Sequence, residues 1–119
     1  MISIRMDTKR TKLTIKGHAL PEESKEYKEI CAASSAFAQG LMYSISLYAD
    51  AKQAIKSIQY RDDPGDLLLL VIPEEWAALV IRQRFKIYGD GLQLLAESHP
   101  QCVEMIRDGK KIIPEEDEG

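Results

Sequence analysis

Two side chains in this chain, His18 and Cys31, are of the types that carry nucleophilic catalysis, and a short charged connection separates them. A thiol attacks a carbonyl only as its thiolate, and a free pKa of about 8.5 leaves little of that form at neutral pH. An imidazole can take the thiol proton and later return it to a leaving amine. The pair therefore reads as a Cys/His dyad for acyl transfer, needing neither metal nor cofactor. The bland alternative is that Cys31 is a small buried hydrophobe, as most free cysteines are. The remaining candidates do less: Cys102 reads as core, and His99, just before Pro100, as a solvent-facing turn residue. Two cysteines and two scattered histidines have no zinc-like spacing.

The elements around the pair would have to bring them together. The alternation in residues 2–6 and 12–16, with a polar stretch between, predicts an opening β-hairpin. Its second strand ends at Gly17, whose missing Cβ lets the chain turn and leaves His18 displayed at the sheet edge. Residues 20–29 are dominated by charge and contain Pro21, which predicts a loop able to act as a lid over a peptide. From Ile30 the apolar residues Phe37, Leu41, Ile45 and Tyr48 recur at helical spacing, with alanines between them. Cys31 is then expected in the first turn of a helix, where unpaired N–H groups and the positive end of the dipole stabilise an anion. Such groups can also donate to a tetrahedral oxyanion, roughly 2.7–4 kcal/mol per donor in characterised cases.

Residues 54–60 read as a strand whose alternation slips between Ile55 and Ile58, the mark of a bulge. The Asp62-Asp63-Pro64-Gly65 run gives a turn, and residues 66–72 a strand apolar on both faces, covered on both sides or meeting another subunit. Pro73-Glu74-Glu75-Trp76 opens a second helix, with Trp76 in the core or at a dimer interface; Gly89-Asp90-Gly91 is expected to kink or break it. Residues 101–106 suit a last strand. The fold class is α+β, two helices packed on a mainly antiparallel sheet in the order β-β-α-β-β-α-β. Residues 1–113 form one domain, followed by an acidic disordered tail over residues 114–119.

Composition narrows the function classes. At 119 residues and 45% hydrophobic, the chain buries one core. A net charge of −3 lacks the basic surplus of a nucleic-acid binder. Two cysteines and no signal-peptide layout point to a reducing cytoplasm. The charge-free run over residues 30–49 has about the length to span a membrane, but its serines, Gln39 and Gly40 make it a buried helix instead.

Gly17-His18-Ala19 followed by Cys31-Ala32-Ala33-Ser34-Ser35-Ala36-Phe37-Ala38-Gln39 resembles the signature of the ribosomal-processing cysteine proteases, the Prp or YsxB-like family. The stretches over residues 91–96 and 99–103 resemble that family's helix end, proline turn and last strand. The resemblance implies a dimeric peptidase with His18 as catalytic histidine, Cys31 as nucleophile and Ser35 as motif serine; Gly17, Ala32 and Ser34 fall within the same motif and are read as site-shaping. Its substrate would be a protein with a cleavable N-terminal segment, a large-subunit ribosomal protein in Firmicutes relatives or a structural protein in phage-borne ones. One departure stands out: Lys28 occupies the place where the family carries an aspartate. That departure suggests a divergent, phage-derived member, and motivates the rival reading, a non-catalytic dimeric interaction protein that keeps the fold.

Overall fold

The computed structural model describes residues 1–17 and 24–114. Its elements in chain order are β1 (Ile2–Asp7), β2 (Lys12–Lys16), α1 (Lys25–Lys52), β3 (Ile55–Asp63), β4 (Asp66–Pro73), a 3-10 turn (Glu75–Ala77), α2 (Ala78–Ser98), β5 (Val103–Arg107) and β6 (Lys110–Lys111). The strands form one sheet in the order β3-β4-β2-β1-β5-β6. Every pairing is antiparallel except β1 with β5, and α2 is the crossover that carries the chain from β4 to β5. The α+β class and the mainly antiparallel sheet agree with the sequence reading; β6 is an addition to it.

Alternation decides which face is covered. Ile2, Ile4 and Met6 of β1, Leu13 and Ile15 of β2, and Leu67, Leu69 and Val71 of β4 are buried against the helices. Ile30, Leu41 and Ile45 of α1 and Ile81, Phe85 and Leu92 of α2 meet them from the other side, in one continuous core. A buried hydrophobic side chain contributes about 1.5–3 kcal/mol, so this layer is the main stabilising term. The sheet's other face carries Leu68, Leu70 and the exposed Ile72, with no described helix over them. The expected bulge is present, as a register shift between Ile55 and Ser57.

Three expectations need correction and a fourth, the core or dimer interface for Trp76, is narrowed. Residues 25–29 are helix rather than loop, because Ser24 caps them: its Oγ accepts from the Tyr27 N–H at 3.1 Å, and Tyr27 is buried as an apolar anchor. Pro73 closes β4 instead of opening α2. The helix α2 runs unbroken through Gly89 and Gly91, because those glycines serve contact. A Cβ on Gly91 would lie 2.3 Å from Phe37 Cε1, and one on Gly89 2.6 Å from Met6 Sδ. Trp76 is 60% exposed and so is not core. By length and composition α1 is apolar enough to cross a membrane, but its most apolar stripe is packed in this core.

Candidate active site

Because the cap lies at Ser24, Cys31 comes six residues after the first residue of α1. Only the first four N–H groups of a helix lack intrahelical partners. The anion-stabilising helix end expected at Cys31 is therefore at Ser24 to Tyr27, since the Lys28 N–H already donates to the Ser24 carbonyl, and the first turn carries the Glu26 carboxylate. That carboxylate accepts from Gln101 Nε2 at 2.8 Å and lies 3.0 Å from His99 Nδ1, tying the end of α2 to the start of α1. His99 is thus a fastening between helices, outside the cavity described next.

Cys31 and Ser35, one helical turn apart on the same face of α1, line a cavity of about 180 Å3. Ile2 and Ile15 belong to its sheet side, and the hairpin tip from Asp62 to Leu67 faces the helix across it. Gly17 completes the rim. Its φ of +94° is a left-handed conformation, and a Cβ there would stand 2.6 Å from the Met1 carbonyl oxygen, so only glycine fits. Its N–H donates to the Gly65 carbonyl at 3.0 Å, which binds the end of β2 to the tip of the β3–β4 hairpin. Three of the sequence-predicted residues, Gly17, Cys31 and Ser35, are thereby gathered at one cavity. His18 follows Gly17 in sequence and lies, with residues 19–23, outside the described residues, so the lid expectation over 20–23 falls there too.

Two others stand elsewhere. Ser34 is buried, its hydroxyl donating to the Ile30 carbonyl one turn back at 2.9 Å. This is the local backbone bond that helical serines commonly make. Ala32 and Lys28 are exposed and are not among the residues lining the cavity, although Lys28 sits one turn before Cys31 on the same side of α1. Cys102 is core, as read. Among the described residues no group of His, Cys, Asp or Glu is arranged to hold a metal.

The sequence reading passed over the acidic wall. Asp62, Asp63 and Asp66 all line the Cys31 cavity. Asp66 is paired with Arg61 at 3.2 Å. Asp62 is held differently: its Oδ2 accepts from Gln39 Nε2 and from the Tyr60 hydroxyl, each at 3.1 Å. Burial, then the hydrogen bond to Asp62 and the charge of Asp62, push the Tyr60 phenol above its ordinary value, which keeps it a donor. A signal for this contact was present in the sequence. Gln39 lies two further turns along the Cys31–Ser35 face, and the residues it reaches are the aspartates around a Pro-Gly turn.

No family model matches the chain, and no curated protein matches it in sequence. Solved structures do match in fold. The ribosomal processing protease Prp from S. aureus, in complex with a covalently linked product peptide, is 18% identical, with a TM-score of 0.66 over 90% of this chain and 99% of that one. The same protease with a substrate peptide is 17% identical, with a TM-score of 0.66 over 89% and 96%. The protein SMU.848 from Streptococcus mutans is 19% identical, with a TM-score of 0.65 over 89% and 90%. At these identities the likeness establishes a shared fold, and it spans nearly the full length of each partner.

Proposed function

We propose that the chain is a cysteine endopeptidase that removes an N-terminal extension from a ribosomal protein or a phage structural protein. The observation that carries this reading is that Cys31 lines a cavity whose rim is Gly17, the residue before His18, in a fold shared with a peptide-bound protease. Residues 1–113 act as one peptidase domain, in the cytoplasm and as a homodimer, with residues 114–119 as an acidic tail.

In the proposed reaction the imidazole of His18 takes the Cys31 proton, and the thiolate attacks the scissile carbonyl carbon, forming a C–S bond. The tetrahedral intermediate collapses with cleavage of the C–N bond, and the imidazolium gives its proton to the departing amine. Water, deprotonated by His18, then hydrolyses the thioester and restores the thiol. Ser35, beside Cys31 on the cavity wall, shapes the carbonyl's approach. Because Cys31 lies inside α1, activation of the thiol falls to His18 rather than to the helix dipole.

The test is incubation with ribosomal and capsid-protein precursors, followed by mass spectrometry of the products. The native chain is expected to release a defined N-terminal peptide and Cys31→Ala none. Equal cleavage by the variant removes Cys31 from the mechanism. An intact precursor in both samples, with a stable complex formed, favours the non-catalytic interaction protein, the reading that Lys28 motivates.

A further inference from the structure

We infer that Asp62 determines specificity at the Cys31 cavity, favouring substrates that place a cationic side chain, lysine or arginine, beside the scissile bond. The inference rests on the peptidase reading for its substrate class and on geometry for the rest. Cys31, Ser35 and Gln39 stand at successive turns along one face of α1, and Gln39 reaches across to β3 to grip Asp62 Oδ2. The Tyr60 hydroxyl grips the same oxygen. Both donors are neutral, so they fix the carboxylate without cancelling its charge, and Oδ1 has no partner among the described residues. The other two carboxylates at the cavity differ: the Arg61 guanidinium neutralises Asp66, and Asp63 has no donor among the described residues that fixes it in place.

No basic side chain lines the cavity among the described residues. An anionic substrate group would meet an oriented like charge there, and an aliphatic one would leave Oδ1 without a partner. A lysine ammonium or arginine guanidinium supplies both the missing charge and the missing donor. Like-charge rejection is as much a part of specificity as attraction, and one carboxylate beside the nucleophile provides both.

The cavity's preference can be read without knowing the substrate. Two methanethiosulfonate reagents of similar length, one carrying trimethylammonium and the other sulfonate, are reacted with the full native chain, and labelling at Cys31 is followed by peptide mass spectrometry. Each reagent converts the thiolate to a mixed disulfide with loss of methanesulfinate, and each rate is taken relative to the same reagent's rate with 2-mercaptoethanol, so that the ratio of the two reports the local charge. The cationic reagent is expected to react about fivefold faster, with the ratio falling by about threefold in Asp62→Asn, as suits a partly screened surface charge. Asp50→Asn, which makes the same change in net charge on the far part of α1, is expected to leave the ratio unchanged. Salt provides a check on the unmutated chain, since the native ratio should shrink as ionic strength rises.

A native ratio near one, a ratio insensitive to salt, or equal loss in Asp62→Asn and Asp50→Asn overturns the inference. If the ratio behaves as expected and no precursor is cleaved, the peptidase reading fails while the cation preference of the cavity stands. If cleavage occurs, peptides with lysine near the scissile bond should be cut faster than those with glutamate, and a preference for glutamate overturns the inference.

Discussion

Asp62 acts on its neighbours as well as on any substrate, and Tyr60 is where that action can be measured. The phenol is raised first by burial and then by its hydrogen bond to Asp62 and the charge of that carboxylate. A group whose folded pKa lies above its unfolded value contributes stability that is complete below the unfolded value and is lost as pH rises through the folded one. The contact that holds Asp62 over the cavity is therefore intact throughout the neutral range and weakens only above the ordinary tyrosine range near pH 10. Tyr60 should give a late transition in a near-ultraviolet absorbance titration of the folded chain. In Asp62→Asn that transition should move down toward the ordinary value, and in Tyr60→Phe it should vanish. A late transition unchanged in Asp62→Asn would mean that burial alone raises the phenol.

The elements divide by how their signals are written. Strands β1 and β2 were legible because alternation is a direct imprint of a half-buried sheet, β4 because a short apolar run after a Pro-Gly turn reads as a strand, and the bulge in β3 because a slipped alternation has that one local cause. The start of α1 was not. The charged run before Cys31 reads as a loop unless Ser24 is recognised as a cap, Tyr27 as a buried anchor, and Lys25 with Glu29 as an i,i+4 pair at 3.9 Å. Once those five helical residues are missed, Cys31 is wrongly moved to the helix end, and the dipole is wrongly credited with activating it. The candidate site was legible as residues, Gly17, Cys31 and Ser35, but its acidic wall comes from strand pairing across the sheet, which no local pattern records. The glycines of α2 misled in the opposite direction, because propensity predicts a break where tertiary contact overrides it. Alanine at position 91 gains about 1 kcal/mol of helix propensity but must displace the Phe37 ring, and overpacking costs about 1–3 kcal/mol. Gly91→Ala should therefore lose up to about 2 kcal/mol in a urea titration at unchanged slope. A more stable variant would show that Phe37 has room to move and that Gly91 is not needed for the contact.

For the molecule as a whole, the open question raised by the sequence concerns β4, whose apolar residues alternate onto both faces. The helices account for Leu67, Leu69 and Val71, but Leu68, Leu70 and Ile72 lie along the opposite face at successive outward positions, with no charge between them on that face of the strand. A strand whose second face only meets water alternates with polar residues, as β2 does with Lys12, Thr14 and Lys16. The helix layer also exposes apolar residues, Tyr43 and Leu47 one turn apart on α1 and Leu79 and Ile87 on α2, but Ser44 and Arg84 stand among the residues that line the same hollow as Tyr43 and Leu47. The stripe on β4 thus supports placing the proposed homodimer contact on the outer sheet face, with β2 and β3 supplying a polar rim in register. It also leaves the Cys31 cavity, which opens on the helix side of the sheet, free for a substrate in both copies. Light scattering after size exclusion should find the native chain dimeric at micromolar concentration and Leu70→Lys monomeric, with cleavage per chain compared between the two. A dimer that survives Leu70→Lys and is instead lost in Leu47→Lys would move the contact to the helix layer.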